Sequence, residues 1–215
     1  INMSVYKERK QSEKPILEVK HLSLKPVYKD VSFDVRPGQI LGMYGLVGAG
    51  RSEIARAIFG ETNAESGQIF FEGEDISRIN INQAVERRIF YVPEDRGAQG
   101  LFDIHSVRDN MSVAFLDSLS GKSGMILLQK PKVLILDEPT RGIDVMTKTE
   151  IHRYIMELAK DGVAVIVISS DLPEVMELSD NIITLYKGKI TARFDRKTVT
   201  EEAILKNALN LNENR

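Results

Sequence analysis

The chain has 215 residues, 42% of them apolar, which suits one domain of moderate size with a core of its own. Charged residues make up 28% and nearly cancel at a formal net charge of −2, which excludes the basic excess expected of a nucleic-acid binder. Cysteine is absent, so no disulfide framework or thiolate metal site can form. No apolar run approaches the ~20 residues that a membrane-spanning helix needs. The polar, charged start lacks the apolar stretch of a secretory signal, so the expectation is a soluble domain that meets any membrane through a protein partner. A first residue Ile1 in place of methionine suggests a piece of something longer.

Residues 1–15, with the charged run Lys7-Glu8-Arg9-Lys10, read as a solvated linker, and 16–215 as one domain. Residues 16–20 and 31–35 alternate apolar and polar, as half-buried strands do. Arg36-Pro37-Gly38 is a turn, and the apolar run 39–44 is a buried strand ending at a glycine. A helix is expected over 52–59, stopped by Gly60. A strand at 68–71 leads into a turn at Glu72-Gly73-Glu74, then a helix over 81–88 and a strand over 89–92. The near-continuous apolar run 132–136 carries the mark of a parallel strand covered on both faces. A helix over 146–160 presents Ile151, Tyr154, Ile155 and Leu158 on one face, and Asp161-Gly162 ends it. A buried strand (163–169), a short helix (172–178) and a hairpin (181–186 and 189–194, across Lys187-Gly188) complete the series. Strands alternating with helices indicate an α/β fold with a mainly parallel sheet, and the early alternating strands a separate antiparallel layer.

Two motifs carry chemistry. Gly45-Leu46-Val47-Gly48-Ala49-Gly50-Arg51-Ser52, followed by Glu53, fits the phosphate-loop pattern G-x-x-x-x-G-[K/R]-S and lies between a predicted strand and a predicted helix. Glycines let backbone N–H groups turn inward around phosphate oxygens, and the helix points its positive end at the same anion. The Ser52 hydroxyl is placed to ligate Mg²⁺. Arg51 stands where lysine is usual, and its planar guanidinium is not the same compact charge. The second motif is Asp137-Glu138-Pro139-Thr140, directly after the buried strand. Asp137 is expected to hold Mg²⁺ and Glu138 to polarise an attacking water as general base. Either motif alone also reads as an ordinary loop. Their joint occurrence, each at the C-terminal end of a predicted strand, favours nucleotide binding.

Asp-Glu-Pro-Thr followed by Arg141-Gly142-Ile143-Asp144 resembles the Walker B motif and D-loop of ABC ATPases. With Gly45 to Glu53, Ser169-Ser170-Asp171-Leu172-Pro173-Glu174-Val175 and the tail 181–208, the chain looks like the second cassette of the tandem ATP-binding subunits of ribose-, galactose- and xylose-type importers. The resemblance covers nearly all of 16–210 and implies a P-loop NTPase of ABC type. It implies ATP and Mg²⁺ as cofactors and a second cassette and a membrane permease as partners. An extracytoplasmic sugar-binding protein would act indirectly, nucleic acid plays no part, and the location is the cytoplasmic face of the membrane. By the same resemblance Glu94 occupies the Q-loop position, near metal or water, Ser170 stands where a switch histidine is usual, and Asp144 contacts the opposite cassette. Arg51, Glu94 and Ser170 together look like a weakened site, so two readings stay open: an ATPase motor that retains its base Glu138, and a regulatory cassette that binds nucleotide with little hydrolysis. Tyr28, the aromatic nearest to an adenine-stacking position, suits core packing better.

The signature motif that such domains carry is not found between the Q-loop and the acidic strand. Leu119-Ser120-Gly121-Lys122-Ser123-Gly124 resembles it but has lysine for a glycine and no helix of useful length after it. The helical subdomain around 97–126 is therefore read as truncated, with a stretch lost between roughly residues 123 and 127.

Overall fold

The structure, a computed structural model, describes residues 12–94 and 130–211. β1 (Leu17–Leu24) pairs antiparallel with β2 (Tyr28–Val35) on one edge and with β4 (Ser66–Phe71) on the other, and β5 (Glu74–Asp75) lies outside β4. Leu17, Val19, Val31, Phe33, Ile69 and Phe71 are buried, which fixes the register of this sheet because a one-residue slip would turn all of them to solvent.

The second sheet has the order β10-β9-β3-β8-β7-β6, from β3 (Ile40–Gly45), β6 (Ile89–Val92), β7 (Val133–Asp137), β8 (Ala164–Ser169), β9 (Asn181–Tyr186) and β10 (Lys189–Asp195). All its pairings are parallel except the β9–β10 hairpin. Every residue of β3, β7 and β8 is buried, as strands covered on both faces require. Beside the sheets lie α1 (Arg51–Ile58), α2 (Ile81–Glu86), α3 (Val145–Lys160), α4 (Leu172–Leu178) and α5 (Glu201–Ala208). One apolar core runs through both sheets, and a smaller one gathers Tyr44, Val175, Ile182, Ile204 and Ala208.

Parallel register brings the functional ends together. Tyr44 of β3 is level with Ser169 of β8, Ile168 with Asp137 of β7, and Leu136 with Val92 of β6. The two predicted motifs therefore share the C-terminal edge of the sheet, where open α/β sheets bind ligands.

The expected elements are present, with differences. β1 and β2 are longer than the alternation suggests, and β5 forms where only a turn is expected. Helix α2 ends at Glu86, because Arg87 caps it and Arg88 turns to a positive φ of 64°. The inward face of α3 is Ile151, His152, Ile155, Met156 and Ala159, so Tyr154 and Leu158 lie at the margin. Helix α5 is an addition, capped by Thr200 and anchored by Ile204 and Ala208. The end of the predicted linker rests on the β2–β3 turn: Ser12 N–H donates to the Pro37 carbonyl (3.2 Å) and Arg36 to that of Glu13 (3.3 Å). The rest of the linker, the truncated subdomain, the signature-like hexapeptide and the lost stretch lie outside the described residues.

Candidate functional site

The glycine loop joins β3 to α1. Leu46, Val47 and Gly48 are exposed, while Ala49, Gly50 and Arg51 are buried. Gly50 caps α1 in the left-handed region (φ 92°) and offers no side chain to its N–H groups, so the positive end of the helix stays open toward the loop. A Cβ at Gly50 would lie 3.1 Å from the Val27 carbonyl and 3.3 Å from the Gly188 Cα, so close backbone approach as well as positive φ demands glycine. Gly48 (φ 79°) has nothing within 4 Å of such a Cβ and faces open space. Gly45 ends β3 with its Cβ direction blocked by the Leu185 carbonyl at 2.6 Å. Ser52 and Glu53 are half-buried in the first turn of α1.

Glu138 sits just past β7, its N–H extending the sheet to the Ile168 carbonyl (2.8 Å) and its φ at 48°. For a residue with a side chain that conformation is unfavourable and persists only where surrounding contacts enforce it. Its Oε1 accepts from the Ser170 backbone N–H (2.8 Å) and lies 3.4 Å from Nη2 of Arg51, and its Oε2 is 3.5 Å from the Ser169 hydroxyl. Arg51 and Glu138 side chains are each only 6% exposed, so this is a buried ion pair between the two motifs. Asp137 is buried too. One carboxylate oxygen accepts from the Tyr91 hydroxyl (2.9 Å), and the other has no hydrogen-bond partner. The Nη1 of Arg51 is buried without a partner as well.

The remaining predicted residues are placed as follows. Glu94 forms an exposed ion pair with Arg141. Asp144 is the N-cap of α3, accepting from Met146 N–H (3.0 Å), Thr147 N–H (3.1 Å) and the Thr147 hydroxyl (2.7 Å), bonds that lower its carboxyl pKa. Ser170 is exposed and meets Glu138 through its backbone rather than its hydroxyl. Tyr28 is 2% exposed, in the core as expected; burial, then Glu53 and Glu65, push its pKa up to about 12.

Sequence reasoning did not single out four neighbours of the site. Tyr91 lies in β6 opposite Ile135 in β7, within reach of Asp137, and burial followed by the Asp137 charge raises its pKa. The Ser169 hydroxyl, not that of Ser170, faces Glu138. Glu174 and His152 are a fully buried pair behind Thr140. The available signal was a histidine in the buried phase of one helix beside acidic residues spaced i, i+3 on the next.

The donor set fits a magnesium-bound phosphate chain on two observations: the unpartnered Asp137 oxygen, which suits a hard cation, and the unpartnered Arg51 nitrogen, which suits an anion. Among the described residues no group of three or more His, Cys, Asp or Glu forms a complete metal site, so a cation here would complete its shell with ligand oxygens and water.

A family profile described as "ABC transporter" matches residues 28–126. The chain is 36% identical to ribose import ATP-binding protein RbsA of Caldanaerobacter subterraneus, covering 90% of this chain and 48% of that protein. It is 38% identical to ribose import ATP-binding protein RbsA 2 of Streptomyces avermitilis, covering 88% and 46%. A Rhizobium meliloti protein named for ribose/galactose/methyl galactoside import is 39% identical over 88% of this chain and 45% of its own length. The chain thus spans about half the length of the curated relatives it matches. Among solved structures, a nucleotide-free ATP-binding cassette from an ABC transporter superposes with a TM-score of 0.70 at 16% identity, covering 92% of this chain and 96% of that one. CbiO1 of Clostridium perfringens gives 0.69 at 23%, covering 93% and 96%. At these identities the structures speak for the fold.

Proposed function

We propose that the chain is an ATP-binding cassette of the ABC transporter family and the motor domain of a monosaccharide importer, binding and hydrolysing ATP to drive a membrane permease. The cassette is assigned to 16–215, with 1–15 as a linker. The partners follow from that reading: a second cassette, which the greater length of the relatives accommodates in one polypeptide, a permease, and indirectly a sugar-binding protein outside the cell. The relatives' names support sugar as cargo. Among the described residues no helix is long and apolar enough to cross a membrane, and the domain is placed peripherally on the cytoplasmic face through its permease.

The observation that carries the reading is the meeting of Arg51, Asp137 and Glu138 at one sheet edge beside an uncapped helix start. The backbone from Gly45 to Ser52 and the Arg51 guanidinium would hold the phosphates, and Glu53 continues the helix that aims its dipole at them. Ser52, Asp137 and Glu94 would hold Mg²⁺, which when bound neutralises phosphate oxygens. Glu138, steadied by the Ser170 N–H, would take the proton of the attacking water. Asp144 would meet the opposite cassette.

A second reading has a specific observation behind it. The Arg51–Glu138 pair occupies both the phosphate-binding cation and the base, as in a regulatory cassette that hydrolyses little. ATP turnover by the intact protein with Glu138→Gln separates the two. Turnover lost to below a few per cent establishes the motor, and unchanged turnover establishes the regulatory cassette.

A further inference from the structure

Behind Glu138 lies a polar cluster that nucleotide binding does not use. The Glu174 side chain is 1% exposed and that of His152 2%, with Nε2 of His152 3.0 Å from Oε1 of Glu174. The same oxygen accepts from the Thr140 hydroxyl at 2.6 Å, and the Ser169 hydroxyl, with one proton to give to Glu174 or to Glu138, lies beside this carboxylate. Nδ1 of His152 is 3.1 Å from Oε2 of Glu177, which reaches the surface. One turn earlier on α3, Lys148 pairs with Asp171 at 2.5 Å. Burying a carboxylate and an imidazole costs more than apolar packing of the same volume, so packing alone does not explain the pair.

Its bonds fall on both flanks of Glu138. Thr140 is two residues after it, in the turn where Arg141 N–H donates to the Glu138 carbonyl and Ile143 N–H to that of Thr140. Ser169 faces Oε2 of Glu138 from the end of β8. Glu138 itself is in the left-handed region, which needs such enforcement. The cluster also belongs to α3, which begins at Asp144, so His152 and Glu174 link that helix to the turn that carries Glu138.

We propose that Glu174, oriented by His152, is a positioning residue for hydrolysis: it fixes the Glu138 loop by holding Thr140 and Ser169, and couples that loop to helix α3. The proposal deepens the motor reading and rests on it for its kinetic consequence, though not for its structural one.

The test compares Thr140→Val, Thr140→Ser, Glu174→Gln and the Thr140→Val/Glu174→Gln double variant in the intact protein, by ATP turnover and by amide hydrogen exchange over residues 138–143. Thr140→Val and Glu174→Gln each lower kcat about tenfold, the size of one lost charged hydrogen bond, and leave KM for ATP within about twofold. Exchange over 138–143 quickens in both, and Thr140→Ser restores both readouts. The double variant is worse than Thr140→Val alone by no more than about twofold, because Glu174→Gln only strips the charge from the bond that Thr140→Val removes. Losses that multiply in the double variant, or faster exchange spread over the whole chain, would overturn the proposal in favour of a merely structural role. Should the wild-type protein hydrolyse no ATP while local exchange responds as stated, positioning stands and the motor reading falls. If exchange over 138–143 is the same in Glu174→Gln as in wild type, positioning falls whatever the turnover.

Discussion

Replacing Glu138 by glutamine tests the buried contact between the two motifs. Arg51 and Glu138 approach to 3.4 Å with side chains 6% exposed. At an effective dielectric of ~20 their attraction is about 5 kcal/mol before desolvation is counted. Removing one partner of a buried pair costs about 3–5 kcal/mol, because the other charge is left uncompensated. Glutamine keeps an oxygen for the Ser170 N–H, so the lower figure applies. For a domain of this size, about 3 kcal/mol corresponds to a melting point roughly 6–12 °C lower without nucleotide. A phosphate beside Arg51 supplies the missing countercharge, so nucleotide recovers that stability in the variant. On the proposed reading, a phosphate entering the wild-type site must first displace Glu138 from Arg51. Glu138→Gln therefore binds Mg·ATP about 100-fold tighter by calorimetry, the equivalent of the same 3 kcal/mol. Equal affinity together with an unchanged melting point refutes the reasoning, since the pair would then hold nothing that nucleotide has to break.

Further outcomes follow from the same geometry. Tyr91→Phe removes the donor to Asp137, whose other oxygen already lacks a partner, and lowers stability in urea by about 1.5–3 kcal/mol; a change below about 0.5 kcal/mol contradicts it. Gly50→Ala destabilises more than Gly48→Ala in the same assay, since both have positive φ but only Gly50 also meets backbone; the reverse order contradicts the packing. Burial alone would raise the pKa of Glu174, but hydrogen bonds from His152, Ser169 and Thr140 hold it below the ordinary 4.5. Its folded pKa is depressed, so its contribution is full above that value and is lost as pH falls through the lower folded one; Glu174→Gln flattens the stability profile in that acid range, and an unchanged profile contradicts it. Ser169→Ala slows turnover more than Ser170→Ala does, because the Ser169 hydroxyl faces Glu138 and Ser170 acts through its N–H.

What was legible in the sequence was whatever periodicity and local motif encode. The buried strands β3, β7 and β8 show as nearly continuous apolar runs, and both motifs sit at strand ends, so the sequence alone points to the C-terminal edge. Contacts made only through register or helix phase were not legible. Tyr91 reaches Asp137 because β6 and β7 run parallel in one particular alignment. His152 is buried because the inward stripe of α3 is rotated toward Met156 and Ala159, away from Tyr154 and Leu158. Between Ser169 and Ser170, only the alternation of the strand at its last residue decides which hydroxyl points inward. Helix α5 leaves no periodic signal in the sequence, because its buried side rests on only Ile204 and Ala208.

The three departures from the usual motifs do not weaken the site equally. Glu94 and Arg141 pair at 44% and 58% exposure, and an ion pair so open to water contributes about 0–1 kcal/mol, so ligand oxygens or a cation can separate it at little cost. Ser170 holds Glu138 through a backbone N–H that any residue except proline provides, so the side chain at this position does not decide the orientation of Glu138. Arg51 is different in kind. Its planar guanidinium places one nitrogen on Glu138 and leaves another without a partner in the same buried space, so a single residue both pairs with that carboxylate and has a donor to offer an anion. On the proposed reading, a phosphate that takes this guanidinium competes with Glu138 for it, so phosphate binding and release of the carboxylate are one event. On that reading Arg51, rather than Glu94 or Ser170, sets how readily the site loads.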